Sequence, residues 1–148
     1  MKWLPESIIN RRRNEMKIVI NTCFGGWGLS HAAYLRYAEL KGIELYAYKE
    51  NYRTEELEEV NNFKDNTFIQ YATKQVSNKK ELNENYFYLS RDESRTDPLV
   101  IQVVEELGKK ASSCLAKLKI IEIPDGTEWE LDDYDGVESI HETHRVWD

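Results

Sequence analysis

The stretch that decides the fold is KIVINTCFGGWGLSHAAYLRYAELKG, residues 17–42. Its first part, Ile18, Val19 and Ile20, is an apolar run that predicts a buried strand. A glycine-rich turn comes next, and a helix then follows from Ser30, a good N-cap, to Gly42, a typical left-handed residue after a helix. A strand, a glycine turn and a helix in this order present backbone N–H groups that can bind an anion.

The glycine turn is the first candidate ligand site, with Phe24, Gly25, Gly26 and Trp27 as its residues. An aromatic side chain beside an anion-binding turn suits a ligand that carries both a phosphate and a base. The turn lacks the lysine and Ser/Thr ending of a P-loop and the spacing of a dinucleotide fingerprint. A tight structural turn whose aromatics pack into the core is therefore an equal alternative.

The rest of the chain predicts a second helix and several short strands. Asp97 followed by Pro98 indicates a helix start, and the apolar positions continue to about Ala111. Strands are predicted at residues 43–49, 67–73, 86–89 and 116–123 and within 128–147. Residues 51–65 are interpreted as a solvated loop or helical turn, and residues 74–84 as a connector that holds at most one helical turn. The expected fold class is α+β, a single domain with a mostly antiparallel sheet and two main helices.

Length, charge and cysteine content limit the function classes. The 148 residues are enough for one domain at 16–148, after a flexible extension at 1–15. The net charge of −7, from 20 basic and 27 acidic residues, argues against a binder of duplex nucleic acid or of an anionic membrane. No apolar run is long enough to span a membrane. The two cysteines form no disulfide framework and indicate a reducing compartment.

A second candidate site surrounds the predicted start of the second helix. Arg91 and Arg95 flank a helix N-terminus, where the partial positive charge favours phosphate and guanidinium groups can bind it bidentately. An aromatic run just upstream can stack on a base. The alternative is that both arginines pair at the surface with neighbouring carboxylates. The aromatic run and those carboxylates are Tyr86, Phe87, Tyr88, Asp92, Glu93 and Asp97.

Two further constellations suggest an enzyme. Cys23 precedes a helix and could act as a nucleophile if a histidine lay nearby, although a small buried cysteine is the commoner fate. His141 and His144 are three residues apart, a weak metal signal without a third ligand. Since neither constellation matches a catalytic signature, the sequence favours a non-enzymatic protein without cofactor or metal.

Four strings together resemble a family of small proteins from tailed phages and prophages: KIVINTCFGGWGLS, RYAELKG, RTDPLVIQVVEELGKKAS and AKLKIIEIPDGTEWELDDYDGVESIHETHR. The likeness covers residues 16–148. It is to the first type of phage anti-Thoeris sponge, which inhibits bacterial immunity by sequestering cyclised ADP-ribose signals and also holds cyclic oligonucleotides at separate sites. The ligand-binding residues that the resemblance implies are Phe24, Gly25, Gly26, Trp27, Phe87, Arg95, Thr96 and Asp97, whereas Arg91 is inferred from chemistry. Ser112, Ser113 and Cys114 stand where the family carries an arginine.

The resemblance implies a phage anti-defence sponge in the host cytoplasm that traps a cyclic nucleotide without hydrolysing it and assembles as a dimer or higher homo-oligomer. Arg95→Ala is then expected to abolish ligand retention and leave the fold intact. Two alternatives stay open. One is a nucleotide-processing enzyme that uses Cys23, or His141 and His144; the other is an inhibitor that binds a host protein.

Overall fold

The computed structural model describes residues 15–61 and 68–143. Most of the predicted extension lies outside these ranges, as does His144, but Glu15 belongs to the first strand rather than to the extension. The elements follow in the order β1 (Glu15–Asn21), α1 (His31–Lys41), β2 (Tyr46–Glu50), β3 (Leu57–Glu59), β4 (Gln70–Ala72), α2 (Lys79–Glu84), β5 (Tyr86–Phe87), α3 (Arg91–Ser94), α4 (Pro98–Leu107), β6 (Leu118–Pro124), β7 (Trp129–Tyr134) and β8 (Val137–Glu142).

The predicted α+β class is confirmed. Within the described residues the strands form three antiparallel groups: the pair β1–β6, the four-stranded sheet β3–β2–β4–β5 and the hairpin β7–β8. The two main helices, α1 and α4, pack against each other, and α4 also contacts β1 and β6. One compact body results, in which β1 lies between the helices and the hairpin.

The core is built around β1 and the inner faces of the two main helices. Val19 from β1 packs in one cluster with Ala33 and Tyr37 from α1 and with Val100 and Val103 from α4, all nearly inaccessible to solvent. Burying each of the larger side chains stabilises the fold by about 1.5–3 kcal/mol. This shared cluster sets the position of the glycine turn that joins β1 to α1.

The predicted helix ends are found in the structure. The Ser30 hydroxyl accepts the Ala33 N–H, and Gly42 has the left-handed φ of 75° that a Cβ would oppose. Asp97 caps α4 by accepting the Leu99 N–H. The helix α4 ends at Leu107, and a 3₁₀ turn, Gly108–Ala111, completes the segment.

Other boundaries differ from the predictions because tertiary pairing overrides local preference. The segment expected to be a solvated loop contains β3, which forms by pairing with the edge of β2 in spite of two adjacent glutamates. The connector holds the six-residue helix α2, and the short helix α3 was not predicted. The fully buried face of α4 is formed by Val100, Val103 and Val104, whereas Leu99 and Leu107 are partly buried and pack at the margin of the core.

Candidate functional site

The glycine turn is covered by the β7–β8 hairpin. The Gly25 N–H donates to the Asp135 carbonyl at 3.3 Å. A Cβ added to Gly136, at the tip of the hairpin, would lie 2.5 Å from the Gly26 nitrogen. Gly25 and Gly26 therefore do not offer their N–H groups to an anion. The Gly25 N–H is already hydrogen-bonded, and the Gly26 nitrogen packs against the backbone of Gly136. The structure thus favours the structural alternative for this turn.

Arg95 is a core residue rather than a surface phosphate ligand. Only 2% of it is exposed, and its Nη2 lies 3.0 Å from Oε2 of the equally buried Glu138. Its Nη1 also donates to the Val19 carbonyl at 3.3 Å, and Glu138 accepts the Asn21 N–H at 2.9 Å. A buried charge needs such a partner to offset its desolvation. The interpretation of Arg95 as an exposed anion-binding residue is therefore corrected: its guanidinium joins α3, β1 and β8.

The remaining residues of the second cluster lie at the surface around α3 and the start of α4. Arg91 is half-exposed and pairs with Asp133 at 3.1 Å and with Asp92 at 3.4 Å, which is the alternative considered for it. Asp97 is the cap of α4 and accepts a hydrogen bond from the Tyr37 hydroxyl at 3.4 Å. Thr96 is exposed. These residues do not converge on a cavity among the described part of the chain.

The three predicted aromatic residues have different surroundings. Phe87 packs edge-to-face on Tyr34 in the core, with ring centroids 6.4 Å apart. Phe24 is 65% exposed. Trp27 is half-buried, and its Nε1–H donates to the Val19 carbonyl at 3.1 Å, which fixes the indole ring. Of the three, Trp27 lines a cavity at the start of α1.

That cavity, the aromatic cleft, has a volume of about 230 Å³ and lies where α1 begins, between the glycine turn and β4. Its walls come from four distant parts of the chain and are mostly apolar. The lining residues are Trp27, Gly28, Leu29, His31, Tyr34, Phe68, Ile69, Tyr71, Tyr88, Leu89, Ser113, Cys114 and Leu115.

A stacked, hydrogen-bonded group forms one wall of the cleft. The rings of Tyr34 and Tyr71 lie parallel with centroids 4.0 Å apart, and Nδ1 of His31 is 2.8 Å from the Tyr71 hydroxyl. The Tyr34 hydroxyl accepts the Leu89 N–H at 3.3 Å. Burial raises the pKa of Tyr34, so its hydroxyl keeps its proton at neutral pH. Stacking and the His31–Tyr71 hydrogen bond therefore hold the residues of this wall together.

The mouth of the cleft carries exposed apolar side chains. Phe68, Tyr88 and Leu115 line it and are each more than half exposed, and Tyr86 stacks on Tyr88 with ring centroids 6.2 Å apart. Clustered exposed apolar surface of this kind marks a binding site more often than a scatter of single side chains does. Sequence reasoning included Tyr86 and Tyr88 as stacking residues but did not bring them to this cleft.

Tyr34 and Tyr71 are the functional candidates that sequence reasoning missed. His31 and Tyr34 are three residues apart at the start of α1, so the sequence did contain a signal that they share a helix face. Tyr71 lies 40 residues beyond His31 and is brought to it by β4. No local pattern reports that contact.

Cys23 and His141, the described residues of the two enzyme constellations, have separate surroundings. Cys23 lines a different groove from the cleft that His31 lines. His141, on β8, pairs with Asp132 at 3.0 Å and with Glu130 at 3.3 Å. Within residues 15–61 and 68–143, no group of three or more His, Cys, Asp or Glu side chains could hold a metal ion. No helix in those ranges is both long enough and apolar enough to cross a membrane.

Comparisons with known proteins do not assign the chain to a family. The chain matches no model of a protein family, no curated protein and no solved structure. The likeness to the phage sponge family therefore stays a prediction, and the cleft is the main structural ground for a functional proposal.

Proposed function

We propose that the protein is a non-catalytic phage sponge that binds a cyclic ADP-ribose-type immune signal in the aromatic cleft and sequesters it in the host cytoplasm. The observation that carries the proposal is the cleft itself, where the hydrogen-bonded indole of Trp27 lies in one cavity with the stacked pair Tyr34 and Tyr71. Tyr34 and Tyr71 are nearly buried and stacked on each other, so they form the back wall, and the exposed ring of Tyr88 at the mouth is the one that suits a base.

The start of α1 is the part of the cleft that would bind the phosphates of the ligand. Gly28, Leu29 and His31 all line the cleft, so the first turn of an 11-residue helix begins at its wall. The partial positive charge of a helix N-terminus favours an anion. The phosphate contacts would thus come from α1 and not from Arg95, whose guanidinium is paired with Glu138.

The size of the cleft bears on assembly. Its volume, about 230 Å³, is below the roughly 300–1,000 Å³ of pockets that enclose a whole drug-sized ligand. The cleft would hold only part of the ligand, with the phosphates at the start of α1 and the base against Tyr88 at the mouth. A second copy of the chain over this mouth would complete the enclosure, in accord with the homo-oligomer that the resemblance implies.

The test is native mass spectrometry with cyclic ADP-ribose isomers and cyclic di- and trinucleotides, followed by heat release and chromatography. The wild-type protein is expected to retain a ligand and to release it unaltered. Tyr88→Ala should weaken binding about 5- to 150-fold, since stacking contributes about 1–3 kcal/mol per base. Tyr52→Ala is the matched control, because Tyr52 is also exposed but does not line the cleft.

Three outcomes would contradict the proposal. A ligand released in changed form would make the protein an enzyme. Equal retention by Tyr88→Ala and Tyr52→Ala would move the site away from the cleft. Failure of folded wild-type protein to retain any nucleotide of the panel would favour the remaining alternative, an inhibitor that binds a host protein.

A further inference from the structure

Among residues 15–61 and 68–143, strand β6 pairs with a strand along one edge only, the edge that faces β1. β6 pairs with β1 in antiparallel register, and the Thr22 N–H donates to the Lys117 carbonyl at 2.8 Å. The backbone N–H and C=O groups of the odd-numbered residues of β6 therefore point toward β1. The even-numbered residues turn their N–H and C=O groups to the outer edge. Leu118 donates there to the Ser112 hydroxyl at 2.9 Å. In the described part of the chain, no strand pairs with Ile120 and Glu122 on that edge.

A groove of about 870 Å³, the edge groove, follows this outer edge toward the end of α4. Five consecutive residues, 116–120, line it, and Thr22 and Cys23 extend it to the end of β1. Because consecutive residues of a strand point to opposite faces, a groove that they all line reaches the edge of the strand. Val104 of α4 contributes an apolar side chain to the same groove. The edge groove therefore offers unpaired backbone groups beside an apolar wall.

The edge groove is basic although the chain is acidic. Lys109, Lys117 and Lys119 line it, in a protein whose net charge is −7. No ion pair joins any of these three lysines to a described residue. Clustered like charges repel one another, and an acidic partner would relieve that repulsion. The electrostatics of the groove thus select for carboxylates.

We propose that the outer edge of β6 binds an extended segment of a partner protein in which acidic and apolar residues alternate. The segment would add as a further strand, with its backbone hydrogen-bonded to Ile120 and Glu122. Alternate side chains would then fall on opposite faces, the acidic ones beside Lys117 and Lys119 and the apolar ones beside Val104. This site is separate from the aromatic cleft and does not depend on the proposed nucleotide ligand.

The first experiment measures fluorescence anisotropy with a labelled, end-blocked octapeptide of alternating glutamate and valine. The acidic peptide is expected to bind, and a lysine–valine peptide of equal length is expected not to. The double variant Lys117→Glu/Lys119→Glu should weaken binding at least tenfold. Lys79→Glu/Lys80→Glu changes the net charge equally on α2 and should leave binding unchanged. Equal binding of both peptides, or equal loss in both variants, would overturn the proposal.

The second experiment tests strand addition directly. Methylating the backbone nitrogens on one edge of the peptide should abolish binding, whereas methylating those on the other edge should preserve it. By hydrogen exchange, the Ile120 and Glu122 amides should exchange fast in the free protein and become protected by the peptide. Tolerance of both methylation patterns would refute strand addition. If, without peptide, the Ile120 and Glu122 amides become more protected from exchange as the protein concentration rises, the edge binds a second copy of the chain. That result would overturn the proposal of an acidic partner.

Discussion

At the scale of residues, the Val19 carbonyl links the cleft to the buried ion pair. It accepts the Trp27 Nε1–H at 3.1 Å and the Arg95 Nη1–H at 3.3 Å. Arg95 is in turn held by Glu138, and Glu138 by the Asn21 N–H. The position of the indole ring in the cleft therefore depends on residues that do not line it.

Arg95→Ala is predicted to destabilise the fold by about 3–5 kcal/mol, because it leaves the Glu138 carboxylate buried without its partner. Urea unfolding followed by circular dichroism measures this loss. The double variant Arg95→Met/Glu138→Leu, which removes both charges and keeps apolar volume, should recover most of it. Unchanged stability of Arg95→Ala would contradict the ion-pair role and restore the earlier expectation that the fold tolerates this change.

Because Tyr34 is buried, we expect the free energy of unfolding to decline in alkaline solution. Burial raises its pKa in the folded state above the ordinary value of about 10. Its contribution to stability is complete below pH 10 and is lost as the pH rises above 10, because the unfolded chain releases the proton first. The slope reaches about 1.4 kcal/mol per pH unit.

Urea unfolding between pH 8 and pH 11.5 measures this decline. Tyr34→Phe should make it shallower, and Tyr52→Phe should not, because Tyr52 is exposed. Tyr46, Tyr86, Lys17 and Lys79, whose pKa values are also raised, contribute to the slope that remains in Tyr34→Phe. Identical slopes in both variants would show that Tyr34 is not the responsible group.

At the scale of elements, the hairpin β7–β8 is held by the glycine turn that it covers. Besides the Gly25–Asp135 hydrogen bond, the Asn21 side chain donates to the Gly136 carbonyl at 2.6 Å. A hairpin alone is marginally stable in water. The contacts with β1 and the glycine turn therefore decide whether it stays docked.

Gly136→Ala is predicted to weaken this docking. Gly136 has φ of 89°, and a Cβ there would meet the Gly26 backbone at 2.5 Å. Gly126→Ala is the control, because Gly126 has φ of 81° but no neighbour within 4 Å. Both changes cost about 1–2 kcal/mol in backbone strain, and Gly136→Ala should cost about 1–3 kcal/mol more. Equal unfolding free energies for the two variants would show that the contact at the hairpin tip is not tight.

At the scale of the whole molecule, ligand capture should appear as added stability. If cyclic ADP-ribose binds the folded state alone, a concentration 100 times Kd stabilises it by about 2.7 kcal/mol. For a chain of this length that corresponds to a rise in Tm of about 5–11 °C. Differential scanning calorimetry should show this shift in the wild type and in Tyr52→Ala and a smaller one in Tyr88→Ala. An unshifted Tm in folded wild-type protein at millimolar ligand would exclude this nucleotide.

The sequence by itself determined the features that depend on neighbours a few residues away. The strand at β1, the caps at Ser30 and Asp97 and the end of α1 at Gly42 all follow from local backbone chemistry, and the structure contains each of them. The alternation of short strands and turns also sufficed for the α+β class. Periodicity and capping act within one or two turns of chain, so one sequence reports them directly.

Only the tertiary structure decided what the candidate residues do. The sequence predicts Arg95 to be a surface ligand because nothing near it in sequence indicates its buried partner, Glu138, which lies 43 residues away. The sequence leaves the glycine turn open between an anion cradle and a structural turn, because the hairpin that covers the turn comes more than 100 residues later. His31 and Tyr71 meet across 40 residues to build the cleft wall. Burial and long-range pairing set the role of a polar side chain, and neither is encoded in its immediate neighbours.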